Sequence, residues 1–362
     1  MSSNIQFNFL EKMEKPSKTQ VKKAGDKIRK DPNDELALDT LNKWRAFHIY
    51  PLNTFQTALK ARLKRNAINF EVTAQRVKRA STIIDKLSRE PKMSLDRMQD
   101  IGGLRAVLKD IKAVKQLEEI YLKNSRIDAP DNARGIFRHE LKNKFDYIEN
   151  PKKSGYRGVH LIYRTQYPSD KKEFANLLIE LQLRSKLQHI WATAVETIGT
   201  FLGQGLKFNR GDDDWKDFFA LVSSAFAIME ESEILDIHKN LTKEQIYAKV
   251  KEEYNRLKVD DIMQGFAITA HNIIKNQKGK ASYYCLITLN AKEKTVNLSR
   301  FPKAQLETAN TALLESEKNP DNQSVLVSIS DIKKLNKAYP NYFLDAVDFL
   351  SVLKKQIIEQ TA

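Results

Sequence analysis

A single cysteine, Cys285, stands in the whole chain, which excludes an internal disulfide and any zinc site built on cysteine pairs. No apolar run approaches the roughly 18 residues that a membrane-crossing helix needs. Met1 to Lys15 carries no apolar stretch of the signal-peptide kind, so a cytoplasmic protein is expected. Internal repeats and low-complexity tracts are also missing. Acidic residues fall short too: 46 Asp and Glu face 61 Lys and Arg, leaving a formal net charge of +15. A surface so basic attracts phosphate-rich partners regardless of their sequence, and nucleotides or nucleic acid are the expected ones.

What is present reads as a folded protein with room for about two domains: 362 residues, 41% hydrophobic, with 17 Phe and 12 Tyr. A lysine-rich helix is expected from Ser17 to about Lys30, and Asp31-Pro32-Asn33-Asp34 breaks it and starts the next. That second helix carries Leu36, Leu38, Leu41, Trp44 and Phe47 and ends before Pro51, and a third opens at Asn53. Residues 1–57 therefore read as a helical N-terminal subdomain. Nine basic residues then fall between Ala58 and Arg89, against only Glu71 and Asp85. On a helix predicted over about Arg79 to Leu87, Lys86 shares a face with Thr82, and Arg76 and Lys78 stand where helix N-terminal amides attract anions. The same charge run also suits an ordinary solvated face.

Asp100-Ile101-Gly102-Gly103-Leu104-Arg105 places a carboxylate ahead of two glycines and a short apolar strand. A helix is expected from Ile111 to Leu122, and an extended segment from Arg138 to Ile148. The loop Asn150 to Gly158 is punctuated by proline and glycine and holds Lys152, Tyr156 and Arg157, with His160 just beyond. An exposed tyrosine among cations suits stacking on a base, and an ordinary basic hairpin connection fits equally. The strand Ile179 to Arg184 organises the rest. Ile179, Leu181 and Leu183 face one way and Glu180, Gln182 and Arg184 the other, a polar row that is costly to bury unless something charged lies against it. A helix carrying His189 follows, and then one from Asp213 to Met229 whose Trp215, Phe218, Phe219, Val222 and Phe226 sit at core spacing.

A long charged helix is expected from Ser232 to Leu257, another from Asp260 to Lys275, and then a hairpin, Tyr283 to Leu289 and Thr295 to Phe301. A helix, a strand at Ser324 to Ser328 and two more helices complete a small α+β module, with Tyr339-Pro340-Asn341-Tyr342-Phe343 between the last two. That aromatic stretch also fits a plain helix-linking turn.

Taken in order, these segments resemble the RelA/SpoT nucleotidyltransferase (alarmone synthetase) family, over roughly Lys60 to Met229. Arg76-Val77-Lys78 with Lys86 resembles that family's ATP-binding element, its serine replaced by Thr82. Asp100 through Arg105 resembles its Asp-x-x-Gly-x-Arg, Asp146-Tyr147-Ile148 followed by Pro151-Lys152 and Gly155 through His160 its acceptor loop, and Glu180 through Arg184 with His189 its signature strand and helix. The resemblance implies an α+β fold: a mixed β-sheet nucleotidyltransferase core flanked by helices. It implies an ATP-dependent pyrophosphokinase with Mg²⁺ on Asp100 and Glu180, the two catalytic acids. Arg76, Lys78, Lys86, Arg105, Gln182 and Arg184 would hold ATP, and Lys152, Tyr156, Arg157, His160 and His189 the acceptor.

Family members use GDP or GTP, or, in a toxin subset, the 3′ CCA end of tRNA. Gln188 to Thr197 resembles the toxin subset. The C-terminal module resembles the antitoxin half of the CapRel family of fused toxin–antitoxin phage-defence proteins, a zinc-finger-like fold without zinc. Tyr339 and Tyr342 there resemble the element that plugs the adenine site, released when a phage capsid protein binds. The expected division is 1–57, 58–231, 232–275 and 276–362. The acceptor reading is tRNA first, with (p)ppGpp synthesis from GDP or GTP second. A catalytically silent basic RNA-binding protein is the reading from another class.

Overall fold

The computed structural model describes residues 14–123, 139–201, 213–257, 259–260, 283–290, 295–319, 322–329 and 347–360. It divides into two compact units, Met1–Phe145 with Val159–Leu183, and Asp146–Gly158 with Arg184–Ala362. The expected division at 57, 231 and 275 differs from this, and the reason is packing. The N-terminal helices have no core of their own and share one with the strands that follow.

In the first unit, α1 (Lys18–Lys30), α2 (Glu35–Phe47) and α3 (Ile49–Arg65) precede β1 (Phe70–Val77) and α4 (Ala80–Arg89). After them come β2 (Gly102–Leu108), α5 (Ile111–Lys123), β3 (Glu140–Asp146), β4 (Val159–Arg164) and β5 (Leu178–Ser185). Ser17 and Gln20 form a capping box at the start of α1, and the Asp34 carboxylate accepts from Ala37 N–H to cap α2. The third helix starts at Ile49 rather than Asn53, with Pro51 in its first turn, where a missing N–H costs nothing. Val21, Ile28, Leu41, Trp44 and Phe47 pack with Ile83, Leu87, Ile101 and Phe174 in one core. Leu36, by contrast, is 76% exposed.

The five strands form one sheet in the order β1-β2-β5-β4-β3, with β1/β2 and β4/β5 antiparallel. Strand β1 was not anticipated, so Arg76 stands opposite Gly103 on a strand instead of at a helix start. Side-chain alternation then gives the sheet two distinct faces. A Cβ on Gly102 would fall 2.7 Å from Ile179 Cδ1 and 3.4 Å from His48 Cβ, so Gly102 and Ile179 share the face that α3 covers. Arg76, Gly103 and Arg105 therefore look the opposite way, as do Glu180, Gln182 and His160 on β5 and β4.

In the second unit, α6 (Lys186–Phe201), α7 (Asp213–Met229) and α8 (Lys243–Arg256) precede a three-stranded sheet in the order β7-β6-β8. Its strands are β6 (Tyr283–Asn290), β7 (Thr295–Pro302) and β8 (Asn322–Ile329), with α9 (Leu306–Glu317) before β8 and α10 (Val347–Leu353) at the end. The long helix expected from Ser232 begins only at Lys243, because Thr242 and Gln245 form a capping box there and a single helical turn, Asp236–His238, takes up part of the approach. Tyr156, Trp191, Phe218, Phe219, Phe226, Tyr254, Phe349, Leu353 and Ile357 share one core, so the C-terminal helix is built into the same cluster as the Tyr156 loop. Tyr339 and Tyr342 lie outside the described residues. Among the described residues no helix is long and apolar enough to cross a membrane.

Candidate active site

The acid at position 100 is the best-defined feature of the first unit. It sits in the turn that leads into β2, with Lys78 at the end of β1 and Lys86 on α4 converging on it. Lys78 Nζ donates to Asp100 Oδ2 at 2.7 Å and Lys86 Nζ to Oδ1 at 3.2 Å, so each carboxylate oxygen has its own ammonium. Burial works against the charge on Asp100, but the two lysines outweigh it and hold the carboxyl at about 2. Burial likewise pushes the Lys78 ammonium below its usual value, against the pull of Asp100. The backbone of Lys78 is fixed on both sides. Its N–H donates to Ile101 O at 2.7 Å, and its carbonyl accepts from Arg45 Nε at 2.9 Å. No sequence signal marked Arg45, a buried arginine on α2, for that task.

Glu180 lies buried on the face of β5 that looks away from α3. Its Oε1 is 2.8 Å from His160 Nδ1, and its Oε2 accepts from Gln182 Nε2 at 2.6 Å. His160, expected on the acceptor, thus stands against the second acid, because β4 and β5 pair with His160 opposite Gln182. Burial and the nearby charge of Asp100 both favour the neutral carboxyl. The His160 and Gln182 contacts prevail, and the group titrates below its ordinary range. That Asp100 acts on Glu180 at all places the two acids within electrostatic reach of each other. Arg76 also acts on Lys78, so the same neighbourhood holds a third cation.

Two carboxylates with oxygen donors suit Mg²⁺, which keeps open positions for water and substrate phosphates. Among the described residues no group of three or more His, Cys, Asp or Glu gathers to hold a metal, so such an ion would rest on Asp100 and Glu180 with the substrate completing its shell.

Arg105 lies on β2 in the first unit, and Lys152, Tyr156, Arg157, Arg184 and His189 belong to the second. Tyr156, expected exposed, is only 8% exposed, since Arg184 donates to its hydroxyl at 2.9 Å and spreads its guanidinium 5.0 Å from the ring centre. Lys152 Nζ lies 5.3 Å from the same ring and 4.4 Å from that of Tyr147, a half-buried neighbour that sequence reasoning had given no separate role. Arg157 is an internal brace, not a surface cation. Its Nε donates to Ser223 Oγ at 3.0 Å and one terminal nitrogen to the Glu233 carbonyl at 2.5 Å, and burial lowers its pKa to about 10. Gly155 has a φ of +88°, and a Cβ there would meet Ser223 Cβ at 2.8 Å, so glycine is required on both grounds. His189 is half-buried in the first turn of α6, which Ser185 and Gln188 cap reciprocally.

The family described as "Region found in RelA / SpoT proteins" matches residues 75–198, the stretch that holds Arg76, both acids and His189. GTP pyrophosphokinase YjbM of Bacillus subtilis is 30% identical over 127 residues, 34% of this chain and 53% of that protein. An uncharacterised protein of Mycobacterium tuberculosis (strain H37Rv) is 28% identical over 139 residues, 38% of this chain and 43% of that one. The chain spans about half the length of these curated relatives. Among solved structures, small alarmone synthetase 2 of Bacillus subtilis is similar at a TM-score of 0.41 and 21% identity, covering 51% of this chain and 90% of that one. Residues 75–198 thus carry the region found in RelA / SpoT proteins.

Proposed function

We propose that this chain is an ATP-dependent pyrophosphokinase whose acceptor is the 3′ end of tRNA. The observation that carries the reading is that Asp100, held by Lys78 and Lys86 in the turn before β2, lies near enough to Glu180 on β5 for its charge to act on that acid, in the segment that matches the family. In the transfer, the acceptor's 3′-hydroxyl oxygen bonds to the β-phosphorus of ATP, the bridge to the α-phosphate breaks, and AMP leaves. Glu180 takes the hydroxyl proton, and the cationic side chains hold the polyphosphate in line. Bound Mg²⁺ would neutralise charge that builds on the phosphate oxygens.

The net charge of +15 supports a polyanionic acceptor, since a free nucleotide needs no such field. The name of the Bacillus relative supports a guanosine nucleotide as the second reading. By the CapRel resemblance, the C-terminal module holds the enzyme off through Tyr339 and Tyr342 until a phage capsid protein binds it.

The test uses full-length chain, wild type and Tyr342→Ala, with ATP labelled at its γ-phosphate and either bulk tRNA or GDP and GTP. Label on the tRNA 3′ end, absent with Asp100→Asn, is the expected result. Label confined to guanosine nucleotides selects the second reading, and no transfer from any of the preparations overturns both.

A further inference from the structure

In the structure both oxygens of Asp100 are already engaged by protein cations. Each of its oxygens accepts from one ammonium, and neither Lys78 nor Lys86 has a second acidic partner among the described residues. We infer that the nucleotide's phosphates are what frees Asp100 for a divalent cation: Lys78 and Lys86 must pass from the carboxylate to phosphate oxygens before the metal can bind. The inference rests on the pyrophosphokinase reading and adds to it an obligatory coupling between nucleotide and metal.

Charge decides the order. Around Asp100 stand Lys78, Lys86 and Arg76, three positive charges against the two carboxylates of Asp100 and Glu180. A free divalent cation approaching that carboxylate would have to compete with two ammonium groups while repelled by all three cations. A polyphosphate meets the opposite field. It is drawn by the three cations and offers oxygens of higher charge than the carboxylate, in reach of ammonium groups on flexible four-carbon stems. Because the Lys78 backbone is fixed by Ile101 and Arg45, its movement is confined to the side chain, and the turn that carries Asp100 need not shift. Once the lysines have moved, Asp100 and Glu180 are left as neighbouring carboxylates whose repulsion a divalent cation relieves. Linkage then requires that the metal tighten the nucleotide by the same factor by which the nucleotide tightens the metal.

The experiment measures Mn²⁺ uptake by the loss of its free electron paramagnetic resonance signal. It uses full-length protein alone and with an ATP analogue carrying a methylene bridge between its α- and β-phosphates, corrected for the Mn²⁺ that the analogue binds by itself. Analogue binding without metal is followed separately by calorimetry in EDTA. Wild type is expected to bind Mn²⁺ at least about tenfold more tightly with the analogue than without it. Lys86→Met is expected to take up Mn²⁺ without any nucleotide, because one carboxylate oxygen is released. Equal Mn²⁺ affinity for wild type with and without the analogue, while calorimetry shows the analogue bound, overturns the coupling and leaves the enzymatic reading intact. Failure of the analogue to bind at all overturns the nucleotide site itself, and the coupling with it. Should Lys86→Met fail to fold, the wild-type comparison alone decides.

Discussion

His160 Nδ1 lies 2.8 Å from Glu180 Oε1, one strand over from the acid it orients. With Gln182 on the other oxygen, Glu180 has its rotamer set from both sides by neighbours on the same sheet face. Such supporting contacts to a reacting or metal-binding carboxylate typically account for about 10- to 100-fold in activity when removed. His160→Leu should therefore lower kcat by that order while the KM for ATP changes little. His160→Gln, which keeps a donor, should recover part of the loss. Equal kcat for wild type and His160→Leu would show that the contact does not position Glu180.

Asp100 should make itself felt in acid. Its folded pKa of about 2 lies below the ordinary 3.8, so the folded chain gives up this proton more readily than the unfolded one. The stabilisation is complete above pH 3.8 and is lost as pH falls toward 2, about 2 kcal/mol in all. Denaturant titrations should show this loss between pH 4 and 2 in wild type and its absence in Asp100→Asn. Parallel curves would refute the assignment.

His48 governs a different window. Burial lowers its pKa from 6.5 to about 4, opposed only in part by its bond to the Trp44 carbonyl at 2.8 Å. Between those values the unfolded chain binds a proton that the folded chain does not. Stability must therefore fall as pH drops from 6.5 to 4, by about 3 kcal/mol, and level off below. In His48→Gln the slope across that window should shrink. A slope identical to wild type would mean that other groups carry it.

Much of the site was legible because it is local. Asp100, Gly102 and Arg105 lie within one turn and strand, and the alternation of Glu180 and Gln182 follows from period two alone. Strand β1 went unread although Phe70-Glu71-Val72-Thr73-Ala74-Gln75 alternates apolar and polar, because the cations that follow drew the reading toward the helix start, and its pairing with β2 is a long-range fact. Tyr156 was placed at the surface for the same reason. Nothing within the loop reveals that Arg184 will fold over the ring, or that Ser223 and Glu233 will take up Arg157. The signal that did exist and went unread was Ser185-x-x-Gln188, which marks the start of α6.

Gly155→Ala tests the loop directly. The residue has a φ of +88°, and the added methyl would meet Ser223 Cβ at 2.8 Å and Trp191 Cζ2 at 3.0 Å. Backbone strain and overlap together should cost on the order of 1–3 kcal/mol. A lower unfolding midpoint for Gly155→Ala, with Ser154→Ala as the control for a neighbouring change, is the expected result. An unchanged midpoint would mean the loop is free to rebuild.

The C-terminal helix is the last place where packing bears on function. Phe349 is 2% exposed, with its ring centre 6.0 Å from that of Phe219 and 6.2 Å from that of Phe226, in the cluster that also contains Tyr156 and Trp191. Emptying such a position costs about 3–5 kcal/mol, whereas a swap that conserves volume costs much less. Phe349→Ala should lower the thermal midpoint sharply and Phe349→Leu only slightly. An equal midpoint for Phe349→Ala and wild type would remove α10 from the core. The same packing dictates how inhibition by Tyr339 and Tyr342 has to be tested. Cutting the chain near residue 270 strips Phe349, Leu350, Leu353 and Ile357 from a core they help fill, so a loss of activity on truncation would report unfolding as readily as regulation. Point variants in the intact chain keep the two effects apart.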